Sequence, residues 1–229
     1  MSRDRGVLLI ATGAAHVAAA RAVAESVHRT NPGLSVGLFS DSDAPGGAFD
    51  WTGPISAPHV RSKVDYLGES PFDETLYLDT DTRVFADLSD LFRLLERFDL
   101  AAAHRDRAVV RRKMPRWRKD VPASFPEHNG GVLLYRGTPA VRAFLADWRA
   151  AYAEAGLTAD QRTFRELLWD SDLRIAVLPQ RYNRRRFTWL DWLAEGRQMP
   201  AILHTNRLHP GKQGGWIRQR ANRLIGPGV

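Results

Sequence analysis

Asp79 and Asp81, separated by Thr80, close a short apolar run at 75–78 that follows the turn-forming Pro71-Phe72-Asp73. That run of β-branched, aromatic and aliphatic residues reads as a buried strand. Side chains alternate along an extended segment, so the two carboxylates point the same way and converge on one place. Two anionic oxygen donors so disposed suit a hard divalent cation, magnesium or manganese, which in turn holds a diphosphate. The same spacing recurs at Asp41/Asp43 and at Asp170/Asp172, in polar stretches that suit solvated turns or helix caps. Only Asp79/Asp81 closes an apolar strand, and in an open α/β sheet ligands bind beyond the carboxyl ends of the strands. Position rather than spacing singles out this pair.

With no cysteine in the chain, any metal must be held by oxygen or imidazole. His204, at the end of the apolar run 201–203, offers the imidazole that such a site still lacks; a lone histidine after a strand also serves as a plain structural residue.

The elements that must carry these residues follow in order. Residues 6–11 (GVLLIA) form a buried first strand with a turn at Thr12-Gly13. Val17, Ala20, Val23, Ala24 and Val27 recur at helical spacing, Asn31-Pro32-Gly33 stops that helix, and 35–40 is a second strand ending at Asp41. This β-α-β unit implies parallel neighbouring strands. No G-x-G-x-x-G follows the first strand, which argues against a dinucleotide site. Residues 41–58 read as a long loop at the edge where Thr12 lies, suited to a base and ribose pocket. A short helix over 62–67 brings Arg61 and Lys63 to the approach of the central strand, either facing a phosphate or as a solvated basic pair.

Beyond Asp81 come a short strand at 83–85 and a helix marked by Leu88, Leu91, Phe92, Leu95 and Phe98, capped by Asp87 or Ser89. A strand at 100–103 precedes the basic, proline-containing stretch 104–128, which reads as a mobile flap that meets an anionic substrate. Residues 129–135 return to strand character. Thr138 caps the next helix, Pro139 lies in its first turn, Val141, Phe144, Leu145, Trp148 and Tyr152 form its buried face, and Gly156 ends it. Thr158 then starts another helix, where Thr158 with Gln161 forms a capping box and Asp160 suits the positive end of the dipole. A late strand spans 173–178.

The length of 229 residues suits one α/β domain, here 1–204 with the flap included, followed by a basic tail at 205–229. That tail reads as an amphipathic helix, either docked on the domain or lying on an anionic membrane or nucleic acid. Lysine and arginine number 33 against 26 acidic residues, a net charge of +7, so negatively charged partners are favoured. The apolar run at 6–11 is too short for a signal core or a membrane span. A cytoplasmic protein, soluble or peripheral at a membrane surface, is the expectation.

The ordered series resembles nucleotide-sugar-dependent glycosyltransferases of the A-type (GT-A) fold, the family 8-like and related groups. It comprises Lys63, then Pro71-Phe72-Asp73 with LYLDTDTRVFADLSDLF, Asn129-Gly130-Gly131-Val132, Asp160-Gln161, residues 179–183 and Ile202-Leu203-His204. The resemblance implies a single Rossmann-like α/β domain whose mostly parallel central sheet is flanked by helices. It implies that Asp79, Asp81 and His204 hold manganese or magnesium, with Asp79, Thr80 and Asp81 also meeting the diphosphate of a nucleoside diphosphate sugar. Ala11, Thr12 and Asp41 line the nucleoside pocket on this reading, and Lys63 faces phosphate or sugar. Asn129 and Gly130 contact donor sugar or acceptor, as do Asp160 and Gln161, the implied catalytic residues; Asp160 is a base for an inverting reaction or a sugar-binding group. Where the family often has glycine and then lysine-proline-tryptophan after its metal histidine, this chain runs from His204 through Arg207 and His209 to Lys212. Lys212 or Arg207 takes the phosphate-binding role, and His209 is a rival metal ligand.

The acceptor implied by the charge is anionic: a glycan, a membrane lipid-linked sugar or a nucleic acid. Two other readings compete. Asp79-Thr80-Asp81-Thr82 also fits the aspartyl nucleophile of a haloacid-dehalogenase-type phosphatase, though that motif belongs on a first strand. A non-catalytic basic module for nucleic acid or membrane explains the charge and leaves the aspartate pair idle.

Overall fold

A computed structural model describes residues 3–43, 47–105, 116–205 and 207–209. Strand β1 (Arg3–Ala11) leads through helix α1 (Ala14–Thr30) to β2 (Ser35–Ser40), and β1 and β2 are parallel neighbours as the β-α-β reading requires. Along β1, Val7, Leu9 and Ala11 pack into one apolar cluster with α1, whereas Leu8 and Ile10 face a second cluster on the other side of the sheet. This two-sided burial explains the unbroken apolar run, and each fully buried large side chain contributes roughly 1.5–3 kcal/mol.

A short edge strand, β3 (Trp51–Pro54), pairs with β2 inside the stretch read as loop. Four residues including a glycine and a proline carry too little strand signal, and a proline is tolerated there because an edge strand has one unpaired side. Helix α2 (Lys63–Tyr66) and a 3-10 turn precede β4 (Phe72–Leu78), the central strand that ends in the aspartate pair. After β5 (Thr82–Val84), the apolar stripe forms α3 (Ser89–Phe92) and then a 3-10 segment rather than one continuous helix; Asp87 accepts from Ser89 N just ahead of it. Strand β6 (Leu100–His104) is followed across the basic stretch by β7 (His128–Arg136), which runs antiparallel to both β4 and β6.

Helix α4 (Pro139–Ala155) begins and ends where its residues dictate: Thr138 accepts from Val141 N, and Gly156 closes it at φ 57°, a left-handed backbone that suits glycine. Helix α5 (Gln161–Asp170), β8 (Ile175–Val177), α6 (Trp189–Ala194) and β9 (Ile202–His204) complete the fold. The main sheet has the order β3-β2-β1-β4-β7-β6-β8, parallel except at β7, and β5 pairs with β9 in a separate two-stranded sheet. None of the described helices is long and apolar enough to cross a membrane.

Two expectations change. The capping box at Thr158 and Gln161 does not form: α5 starts at Gln161 with Asp160 at its N-cap and no side-chain cap bond. A buried lysine ammonium 3.2 Å from the Asp160 carboxylate holds it instead, a stronger attraction than a backbone N–H offers. The flap reading falls partly on 106–115, outside the described residues. Its C-terminal part is tied down by α5, because the buried Glu166 carboxylate accepts from the backbone N–H groups of Trp117, Arg118 and Lys119, and Arg165 donates to the carbonyls of Val121, Pro122 and Phe125.

At the start of β7, His128 is 1% exposed, and among the described residues neither ring nitrogen has a hydrogen-bond partner. Burial, then the charges of His104 and Arg165, push its pKa down from 6.5 to about 4. The folded chain therefore refuses a proton that the unfolded chain accepts, and stability falls as pH drops from the unfolded value toward the folded one, by about 3 kcal/mol at most. His128→Phe is expected to lose less stability than wild type between pH 7 and 4.5, read as urea midpoints; equal losses would refute this.

Candidate active site

The carboxyl rim of β4 is stitched to β7, since Asp79 N donates to Gly131 O at 2.8 Å. Tyr77, two residues before Asp79 and so on the same face, donates its hydroxyl to Asp79 Oδ1 at 2.6 Å. Burial, then Asp79, raise the Tyr77 pKa well above its usual value, so it stays a phenol donor. Lys63, nearly fully buried at the start of α2, completes the support. Its Nζ lies 3.3 Å from Asp79 Oδ1 and 3.2 Å from Asp160 Oδ2, and donates to Gly130 O at 2.9 Å. Burial opposes the lysine charge, but Asp160 and then Asp79 outweigh it and raise its pKa. Arg61 reaches Asp160 from the rim at 4.0 Å.

The small sheet explains how a histidine 123 positions beyond Asp81 reaches it. In the antiparallel register of β5 and β9, Thr82 lies opposite His204, and Thr205 N donates to Asp81 O at 3.0 Å. The imidazole is carried onto the pair: Nε2 stands 3.0 Å from Asp81 Oδ1 and 3.7 Å from Asp79 Oδ2. One ligand atom from each of Asp79, Asp81 and His204 lies within 4.8 Å of the others. The segment after the 3-10 turn at Gln180–Tyr182 runs beside β9 and sets the ring. His204 Nδ1 lies 2.8 Å from Asn183 Oδ1, which can only accept, and Nε2 lies 2.6 Å from Arg185 Nη1, which can only donate. Nδ1 donates to Asn183, and Nε2 is the ring nitrogen turned toward the carboxylates, the orientation a metal ligand needs.

Two carboxylates and an imidazole lone pair suit manganese or magnesium. The backbone fits as well: a Cβ built on Gly131 would overlap His204 and stand 2.5 Å from Asp79 Oδ2, so glycine leaves the space between the ligands open. Neighbouring Asn129 Oδ1 accepts from Gly131 N at 2.8 Å and stiffens that approach. Thr80 Oγ1 lies 3.2 Å from His16 Nδ1, and the His16 ring meets that of His209 edge-on with centroids 5.3 Å apart. Burial, then the His209 charge, lower the pKa of His16 against the pull of Asp81 and Asp79.

Of the residues singled out in the sequence, Lys63, Asp79, Asp81, Gly130, Asp160 and His204 come together in one cluster, with Asn129 and Thr80 at its margin. Ala11 and Thr12 end β1 and Asp41 follows β2, on the same sheet edge, where Asp41 Oδ1 accepts from Gly13 N at 2.7 Å. Gln161 is the half-buried first residue of α5, next to Asp160. Lys212 lies outside the described residues. The glycines at 130–131 were expected to let the backbone approach a ligand closely, which Gly131 does, whereas sequence reasoning gave no role to Tyr77, Asn183, Arg185 or His16. Strand alternation from Asp79 would have found Tyr77, whereas nothing in the spacing points to Arg185.

A mostly parallel α/β sheet with one antiparallel inner strand, and an Asp-x-Asp pair joined by a histidine at its carboxyl rim, make this a GT-A fold. The family model for nucleotide-diphospho-sugar transferases matches residues 74–216, and this chain belongs to that family. Among solved structures it is similar to the galactosyltransferase LgtC in complex with donor and acceptor sugar analogues, at 17% identity and TM-score 0.64 over 98% of this chain and 97% of that one. It is similar to the glycosyltransferase GlyE of Streptococcus pneumoniae TIGR4 at 23% identity and TM-score 0.59; the match covers 88% of this chain but only 55% of GlyE, about half its length. Mouse xyloside xylosyltransferase 1 matches at 15% identity and TM-score 0.59, over 89% of this chain and 98% of that one. At these identities the likeness carries the fold. No curated protein sequence matches this one.

Proposed function

We propose that this chain is a metal-dependent transferase that moves a sugar from a nucleoside diphosphate sugar to an anionic acceptor. The observation that carries the reading is the convergence of Asp79, Asp81 and His204 around a space that only glycine at 131 leaves open. Asp79, Asp81 and His204 would hold manganese or magnesium, which when bound draws charge from the departing nucleoside diphosphate. Lys63 holds Asp79 and Asp160 in place. Asn129 and Gly130 with Asp160 and Gln161 form the donor-sugar and acceptor side, with Asp160 and Gln161 as the catalytic residues. Ala11, Thr12 and Asp41 form the nucleoside pocket, Thr80 meets the diphosphate, and Lys212 supplies a phosphate-binding cation on sequence grounds alone. The catalytic domain is 1–204, followed by the basic tail 205–229.

A lipid-linked acceptor at the cytoplasmic face of a membrane is favoured over a nucleic acid by α6, which exposes Trp189, Leu190 and Leu193 between the exposed Arg186 and Arg197 in the chain. Apolar side chains flanked by cations match the interface of an anionic bilayer.

One assay tests the reading. Wild-type protein is incubated with a panel of nucleoside diphosphate sugars, with manganese, with magnesium or with chelator. Cleavage of one donor, falling at least roughly 100-fold on chelation, is expected, because the leaving diphosphate loses its electrophilic partner. Stimulation by an anionic lipid-linked acceptor should decline as salt rises. Metal-independent turnover, or turnover of phosphomonoesters alone, would exclude the proposal.

A further inference from the structure

Arg185 stands where the proposed cation would have to go. Its Nη1 lies 2.6 Å from His204 Nε2, the nitrogen that also faces Asp81 at 3.0 Å and Asp79 at 3.7 Å. Two carboxylates gathered at one imidazole nitrogen call for positive charge among them. Lys63 cannot meet that need alone, because its single charge is divided between Asp79 and the nearly fully buried Asp160. The guanidinium supplies the missing charge. Its neighbour Arg184 turns the other way, to Asp191 at 3.2 Å and Glu195 at 3.1 Å, so the two adjacent arginines have divided roles.

A guanidinium and a divalent cation cannot share one imidazole lone pair. We propose that Arg185 is an exchangeable counter-ion: it occupies the cation position of the resting site, is displaced when the metal enters, and then pairs with the diphosphate of the donor. The consequence is that metal and nucleotide bind cooperatively. Without nucleotide, the metal must break the Arg185–His204 contact and stand beside the displaced guanidinium, two cations that repel each other. With a nucleoside diphosphate present, the displaced arginine gains a phosphate partner suited to its planar donor array. By linkage, whatever factor the nucleotide adds to metal affinity, the metal adds to nucleotide affinity. The segment that bears Arg185 also bears Asn183, which orients the ring, so the same few residues hold the ligand and guard it.

This inference rests on the metal reading of the site, and its test separates the two. Binding of manganese alone is measured by calorimetry and by the electron paramagnetic resonance of the free ion, with and without a nucleoside diphosphate, for wild type, Arg185→Ala, Arg185→Gln and Arg184→Ala. Manganese alone should bind Arg185→Ala roughly tenfold more tightly than wild type, within the range usual for coupling between sites. The gain in manganese affinity on adding nucleotide should shrink by a similar factor. Arg185→Gln, which keeps a polar, hydrogen-bonding side chain without charge, should behave as the alanine variant does, and stands in for it if alanine impairs folding. Arg184→Ala should bind manganese alone as wild type does, since a merely structural disturbance of this segment would appear there too. Equal or weaker manganese binding by both Arg185 variants overturns the arginine proposal and leaves the metal site standing. No manganese binding by any form, wild type included, overturns both.

Discussion

Gly131→Ala removes manganese binding and lowers donor cleavage by roughly 100-fold or more, the scale expected when reacting groups are displaced by about 1 Å. The methyl group would overlap His204, stand 2.5 Å from Asp79 Oδ2 and 3.0 Å from Asn129 Oδ1. Two of the three proposed ligands must then move apart, and neither can do so cheaply. Asp79 is held by Tyr77 and Lys63, and His204 by Asn183 and its place in β9. The neighbouring glycine is the control for this argument. A Cβ at Gly130 meets Asp160 Oδ2 and Lys63 Nζ at 3.5 Å and Trp148 at 3.6 Å, ordinary contact distances, so Gly130→Ala should keep manganese affinity close to that of wild type. If both alanines bind manganese as wild type does, the cation does not sit between Asp79 and His204.

Lys63→Met, which preserves the volume of the stem, should cost about 3–5 kcal/mol, the usual penalty for stripping one partner from a buried ion pair. For a domain of this size that is a fall in Tm of the order of 10 °C. The loss arises because Asp160, 3% exposed, keeps a buried carboxylate with, among the described cations, only the rim residue Arg61 near it at 4.0 Å. Adding Asp160→Asn removes that stranded charge and should recover a large part of the deficit. The pH behaviour follows from the raised lysine pKa, in which Asp160 and Asp79 outweigh burial. A group with a raised folded pKa contributes fully below its unfolded value, here 10.5, and loses its contribution only as pH rises through the folded value. The difference in Tm between wild type and Lys63→Met should therefore stay constant across neutral pH. A deficit that vanishes there, or a double variant no more stable than the single one, would mean that Lys63 is not the counter-charge described.

Both expectations depend on residues that the sequence presents very differently. Asp79 and Asp81 were legible because an apolar strand ends in them, and strand alternation is a local rule. Helix α4 was legible for the same kind of reason: Thr138, Pro139 and Gly156 each act on the backbone next to them. Residues 35–40 matched β2 to the residue, since a buried strand between a glycine turn and an aspartate has few alternatives. The ordered series of motifs added the family, and with it His204, whose own surroundings in the chain are uninformative.

Where the sequence misled, the competing interaction came from far along the chain. Thr158, Asp160 and Gln161 have the spacing of a cap, but Lys63, 97 positions before Asp160, draws the carboxylate away. The basic stretch looked free because its own residues lack periodicity, whereas Glu166 and Arg165 on α5 hold its C-terminal part through backbone groups that composition cannot reveal.

By itself, then, the sequence determined which strand carries the acidic pair, which helices flank it and which superfamily of folds they build, because all of these follow from interactions within a few residues of one another. The tertiary structure alone decided how His204 is turned against Asp81, that Lys63 spans Asp79 and Asp160, which ligands a side chain at Gly131 would strike and that Arg185 sits on the imidazole. Each of those depends on the register of β5 with β9 or on the closeness of β4 and β7, and strand register joins residues whose separation along the chain has no bearing on their distance in space.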